Sequence, residues 1–172
     1  MRLSLNWGDS EMKLAFAYLG NIDVSSSPFD CGDSFLNDFL TEVAARLVEQ
    51  GLSAVKLLVD QDNSRVVGFY AISPMRIEIG RLSPEQRNQY DVAFPIPAWL
   101  IGRLAVDKAY QKQHLGAALL RDAMTNITQR AAQGAGALII VDAKNKKIKN
   151  FYKKYGFSTL PSSGLKLACP IR

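Results

Sequence analysis

Residues Leu100 to Gly116 read LIGRLAVDKAYQKQHLG and run straight into AALLRDAMTNITQR. An apolar strand ends there in a short polar turn, and an amphipathic helix opens at a glycine. That order sets a row of backbone N–H groups beside a helix N-terminus, which is how a chain grips phosphate with little help from side chains. Lys112 and Arg121 can add positive charge at the edges of the turn. No glycine–lysine–serine or glycine–lysine–threonine trio follows the strand, which speaks against nucleotide hydrolysis. Gly116 is the only glycine between Lys108 and Arg121, so the dinucleotide fingerprint is missing too. A pyrophosphate lying across exposed amides remains the chemistry this turn can support.

Between Lys144 and Lys154 the chain reads KNKKIKNFYKK, six lysines in eleven residues with no acidic residue among them. Such a run is either a solvated helix face or a surface that meets phosphates. The formal net charge of +5 favours an anionic partner. Cys31 and Cys169 lie far apart, and His114 is the only histidine. No metal site is expected from that set, and both cysteines read as small buried hydrophobes in a reducing compartment.

The elements that position these residues follow from periodicity. The chain has 172 residues, 48% hydrophobic and 22% charged, which suits a single folded domain over 1–172. No apolar run nears the roughly 20 residues of a membrane span. The start, MRLSLNWGDSEMK, is too polar for a secretory signal, so a cytoplasmic protein is expected. Asp33 or Ser34 can cap a helix with Phe35, Leu36, Phe39, Leu40, Val43, Ala44, Leu47 and Val48 on one face, ended by Gly51. Ser53 to Val59 and Arg65 to Ser73 predict a hairpin, and Pro84 opens a short helix. Ala98 to Val106 and Ala137 to Val141 are buried strands. Between them runs a helix from about Gly116 to Gln133. A further helix carries Ile148, Phe151, Tyr152 and Tyr155 to Gly156, before closing strands at Phe157 to Leu160 and Leu165 to Cys169. Hairpins mixed with strand–helix–strand units predict an α/β fold around a mixed sheet.

Three segments, taken together, resemble a known family. QKQHLG with Ala117 resembles the Q/R-x-x-G-x-G/A acetyl-CoA loop of the GNAT N-acetyltransferases. NKKIKNFYKKYGF, from Asn145 to Phe157, resembles the later GNAT segment in which an asparagine opens a helix bearing an aromatic–tyrosine pair. FDCGDSFLNDFL at Phe29 to Leu40, with PIPAWLIGRLAVD at Pro95 to Asp107, is similar to the GNAT toxins of bacterial type II toxin–antitoxin modules. The likeness spans about residues 28–161 and implies the GNAT fold, a mixed twisted central sheet flanked by helices.

It also implies roles. The backbone of Leu104, Ala105 and Val106 falls where the family hydrogen-bonds the pantetheine arm of acetyl-CoA. Gln111, Lys112, Gln113, His114, Leu115, Gly116 and Ala117 fall on the pyrophosphate loop, and Asn145 falls at a further cofactor contact. Tyr152 stands where many members place the tyrosine that protonates the departing thiolate; on residue type alone it reads instead as a core aromatic with a hydrogen-bonded tip. His114 replaces the loop's first glycine. It is a tolerated substitution, an added phosphate ligand or a mark of weakened cofactor binding.

Acetyl transfer needs a neutral amine, a polarised thioester carbonyl and a proton for the leaving thiolate. A lysine amine, pKa about 10.4, needs a base at neutral pH, whereas an α-amine near about 8 is already partly neutral. No carboxylate here is marked as a base, and Asp107 is better placed as a structural cap. The chemistry leans towards an α-amine acceptor. The toxin resemblance implies the α-amine of the amino acid on charged tRNA, with Lys144, Lys146, Lys147 and Lys149 facing the acceptor stem. It implies a ribbon–helix–helix antitoxin and a homodimer as well. Two other readings stand beside it: acetylation of a small amine or protein N-terminus without toxicity, and a non-catalytic nucleic-acid-binding module.

Overall fold

Runs of largely apolar residues build the central strands of this protein. A computed structural model describes residues 2–7, 10–134, 136–161 and 163–171. The strands are β1 (Arg2–Trp7), β2 (Ser10–Tyr18), β3 (Ala54–Asp60), β4 (Arg65–Ile77), β5 (Ile96–Val106), β6 (Leu138–Asp142), β7 (Ser158–Thr159) and β8 (Lys166–Pro170). They form one eight-stranded sheet in the order β1-β2-β3-β4-β5-β6-β8-β7. Pairing is antiparallel from β1 through β4, parallel between β5 and β6, and antiparallel again from β6 through β8 to β7. The sheet is therefore mixed, as expected. The helices are α1 (Ser34–Asp38), α2 (Ala44–Glu49), α3 (Pro84–Arg87), α4 (Leu115–Ala131) and α5 (Lys146–Lys153).

The chain divides into two compact units, 1–72 with 103–123 and 73–102 with 124–172. In the first, Phe29, Phe39, Leu40, Leu57, Phe69 and Ala105 belong to one apolar cluster. Phe69 meets Phe29 edge-on at 5.5 Å and stacks on Phe39 at 6.0 Å. Gly68 lets β4 come close to β5: a Cβ there would stand 2.9 Å from the Ala105 carbonyl oxygen and 2.8 Å from Leu119. Any side chain would push the two apart. In the second unit, Ile77, Leu82, Ile96, Ala98, Leu138, Ile140, Leu160 and Ala168 form the core.

One expected element differs. The helix predicted to run unbroken to Gly51 contains a π-helical turn, Phe39–Val43, between α1 and α2. The wider turn shifts the phase of the residues on either side of it. Phe35, expected on the buried face, is 64% exposed, and α1 buries no residue at all.

Candidate active site

The end of β5 is anchored before the turn begins. Asp107 is buried, and its carboxylate accepts three hydrogen bonds: Ala109 N at 2.9 Å, Asp30 N at 3.1 Å and an Arg65 guanidinium nitrogen at 3.1 Å. The first caps the 3-10 turn Lys108–Tyr110. Asp107 is thus the structural cap that the sequence suggested. Asp30 takes up the strap from the other side. Its carboxylate accepts from Gly32 N at 2.8 Å, Asn37 Nδ2 at 2.9 Å and Lys108 Nζ at 2.9 Å, and its carbonyl accepts from Lys108 N at 2.8 Å. The Asn37 amide, with help from Lys108, lowers its carboxyl from the usual range to about 2. Gln111 completes the strap by donating Nε2 to the carbonyls of Cys31 at 3.0 Å and Val106 at 2.9 Å.

The loop that leaves this anchor is unusual in its backbone. Lys112 at φ 65° and His114 at φ 61° both occupy the left-handed region. Such alternation turns successive N–H groups towards one side and makes a concave nest for an anion. The Gln111 amide donates to Lys108 at 3.4 Å, and the Ala117 amide donates to His114 at 3.0 Å. Between them, the amides of Lys112, Gln113, His114, Leu115 and Gly116 have no acceptor among the described residues. Five adjacent free donors therefore run through the turn into the first two residues of α4, a helix of 17 residues whose positive end faces the same place. No acidic residue lies between Lys108 and Arg121 to oppose an anion. The donor set fits a pyrophosphate. Gly116 matters for what surrounds it, since a Cβ there would meet no protein atom within 4 Å.

Leu104, Ala105 and Val106, the other residues assigned to the cofactor, lie on β5 within the same unit as the loop. Asn145 and Tyr152 belong to the second unit. Asn145 is the N-cap of α5, its Oδ1 accepting from Ile148 N at 3.0 Å, so its amide nitrogen is the group left for a ligand. Tyr152 is buried, with Phe151 edge-on at 5.4 Å and Phe157 at 5.6 Å. Its hydroxyl makes no hydrogen bond to a described residue, and burial pushes its phenol up to about 12. A purely structural buried tyrosine normally ties its hydroxyl to a partner. Among the lysines, Lys146 and Lys147 are exposed, whereas Lys149 donates to the Gly164 carbonyl at 2.8 Å.

Sequence reasoning singled out the loop and the tyrosine but gave no role to Asp30, Gly32, Asn37 or Arg65. The segment FDCGDSFLN carried Asp30, Gly32 and Asn37, yet a strap linking residues 77 apart leaves no periodic trace. Among the described residues, no group of three His, Cys, Asp or Glu could hold a metal ion, and no helix is long and apolar enough to cross a membrane.

Residues 53–159 match the model of the acetyltransferase (GNAT) domain. The chain is 33% identical to a tRNA-acetylating toxin of Mycobacterium tuberculosis (strain ATCC 25618 / H37Rv), over 84% of each chain. It is similar to the solved structure of AtaT complexed with acetyl-methionyl-tRNAfMet, with a TM-score of 0.82 at 28% identity, covering 91% of this chain and 94% of that one. It is also similar to a tyrosine-to-phenylalanine mutant of AtaT bound to the C-terminus of the antitoxin AtaR and acetyl-CoA. There the TM-score is 0.74 at 26% identity, over 92% and 93% of the two chains.

Proposed function

The chain belongs to the GNAT acetyltransferase family, as an acetyl-CoA-dependent N-acetyltransferase, and we propose that its acceptor is the α-amino group of aminoacyl-tRNA. On this reading it is the translation-blocking toxin of a toxin–antitoxin module, held in check by an antitoxin of the ribbon–helix–helix class, and it works as a homodimer. The observation that carries the reading is the row of five acceptor-free amides from Lys112 to Gly116, at the start of α4. The named acceptors of its relatives and the lysines of α5 support the choice of tRNA.

Acetyl-CoA supplies an acetyl group activated as a thioester. The amides of Lys112 to Gly116 would hold its pyrophosphate, the backbone of Leu104, Ala105 and Val106 its pantetheine arm, and the Asn145 amide nitrogen would add a contact. Backbone N–H groups of that strand polarise the thioester carbonyl. Tyr152 donates its phenolic proton to the departing sulfur. With a pKa of about 12 that proton stays in place throughout the neutral range, so the donor is always loaded. The acceptor needs no base, because an α-amine near about 8 is partly neutral already.

The test is direct. Purified protein with acetyl-CoA is expected to add one acetyl group to the aminoacyl moiety of charged tRNA, read by mass spectrometry, and to leave uncharged tRNA unmodified. Induction in cells should arrest growth, with relief by the neighbouring antitoxin. Acetylation of free amines or peptide N-termini alone, with charged tRNA untouched, would replace this acceptor with a small amine or a protein.

A further inference from the structure

Phe35 lies at the start of α1, and its ring is 64% exposed. The Arg103 guanidinium is 4.9 Å from the centre of that ring and 5.2 Å from the ring of Phe39. Phe39 is itself fixed, buried in the core against Phe69. A single exposed aromatic is ordinary on a protein surface. This one is different because the helix departs from regular geometry where it begins to turn inward. The periodicity of residues 35–48 would bury Phe35, which instead stands outside, just ahead of the π turn Phe39–Val43. Such turns are rare and gather at functional sites.

Arg103 directly precedes Leu104. In the proposed reading, the loop at Lys112 to Gly116 takes the pyrophosphate and the strand from Val106 back to Leu104 takes the pantetheine. Chain order then runs from the phosphates towards the acyl end. A group seated at Arg103 belongs to the acceptor rather than to the cofactor's own adenosine. The acceptor of that reading is an amino acid carried on a terminal adenosine, a flat base next to a phosphodiester. Unpaired bases stack on aromatic rings and on guanidinium planes, and a guanidinium also pairs well with phosphate.

We propose that Phe35 and Arg103 form the seat for the 3′-terminal adenosine of charged tRNA, with the base stacked on Phe35 and the adjoining phosphate drawn to Arg103. The inference rests on the tRNA reading given above, but it can be tested apart from catalysis. The RNA trinucleotide CCA is titrated into protein already saturated with coenzyme A, so that the cofactor's adenosine site is filled. Binding is expected, with a loss of about 5- to 150-fold in Phe35→Ala, the range for one stacked base. Phe35→Trp should restore it, whereas a role in folding alone would not separate the two variants. Because Phe35 is exposed, both should melt like the parent. Equal CCA affinity in parent and Phe35→Ala overturns the seat. So does a loss in Phe35→Ala of coenzyme A binding instead of CCA binding. Failure of the parent to acetylate any charged tRNA, with Phe35-dependent CCA binding intact, would refute the acceptor assignment and leave the seat standing.

Discussion

His114 is the residue where sequence expectation and backbone geometry meet most closely. It stands in place of a loop glycine, and its φ of 61° is one that glycine adopts freely and other residues reach at a cost of about 1–2 kcal/mol. The amide row continues through it without a break, which favours reading it as a tolerated substitution. His114→Gly is expected to keep acetyl-CoA affinity within about threefold of the parent, because glycine alters strain and chain entropy but not the donors. A loss beyond tenfold, read by calorimetry, would make the imidazole a ligand. Gly116 gives the opposite result. Its φ is not left-handed and a Cβ would touch no protein atom, so Gly116→Ala should raise thermal stability by up to about 1 kcal/mol. The same methyl group would stand among the free amides and should weaken acetyl-CoA binding. Stability and affinity moving in opposite directions is the expected signature. Tyr152→Phe belongs at this scale as well. It should lower kcat by about 10²–10⁴-fold and leave acetyl-CoA affinity unchanged. In the parent, kcat/KM should climb with pH through the amine's pKa near about 8 and show no fall up to pH 9, since Tyr152 keeps its proton to about 12. The stability link has a definite sign: the folded state holds this proton more tightly, so stability is unaffected below about 10 and falls between about 10 and 12. Tyr152→Phe should lose that alkaline decline. A parental turnover rate in Tyr152→Phe would leave the residue as packing only.

Among the elements, α5 is the one built against its own electrostatics. Lys146 and Lys147 are its first two residues, its first turn has no acidic side chain, and the positive end of the helix dipole lies there. Cations at that end cost what anions there would gain, about 0.3–1 kcal/mol each. Replacing both with glutamate should therefore stabilise the fold while weakening tRNA binding and lowering its salt slope by about one unit per lost contact. Lys149, occupied by the Gly164 carbonyl, should matter less to tRNA. Unchanged tRNA affinity at low salt would make these lysines a solvated face. Legibility in the sequence follows the range of the interactions that build each element. The hairpin β3–β4, the buried strands β5 and β6, and the helix α4 with Leu119, Leu120, Ala123 and Ile127 inside are all periodic over short stretches, so they can be read directly. Strand β2 carries the same kind of signal in Met12, Leu14, Phe16 and Tyr18, although neither β1 nor β2 was among the expected elements. The π turn is another matter. Phe39 packs on Phe69, thirty residues later in the chain, and no local spacing announces one extra residue in a turn. The strap from Asp30 to Asp107 is invisible for the same reason, as its partners meet only after β5 has joined the sheet. Left-handed φ at Lys112 has no residue-type signal either, whereas the missing glycine at His114 made that position easy to suspect.

At the scale of the whole molecule, the connectivity bears on how the protein unfolds. Each of the two compact units is made of two separate stretches of chain, 1–72 with 103–123 and 73–102 with 124–172. The first core cannot be completed by the N-terminal stretch alone, because Ala105 from the second stretch is part of it. The second core likewise draws Ile77, Ile96 and Ala98 from one stretch and Leu138, Ile140 and Ala168 from the other. No cut in the chain frees either unit, and β4, β5 and α4 each continue across a unit boundary. We therefore infer that the 172 residues unfold as one domain, in a single transition whose calorimetric and van't Hoff enthalpies agree. Acetyl-CoA sharpens the test, since the five free amides all belong to the first unit. A ligand that binds only the folded state adds about 2.7 kcal/mol at 100 times its Kd. For a chain of this length each kcal/mol moves the midpoint by about 2–4 °C, so the shift should be about 5–10 °C. In a single domain the entire peak moves by that amount, and in Gly116→Ala it barely moves although the apo protein melts higher. If the first unit unfolded independently, ligand would move one peak and leave a second where it was. Two resolved transitions with only one responding to acetyl-CoA would defeat the single-domain inference while preserving the cofactor site.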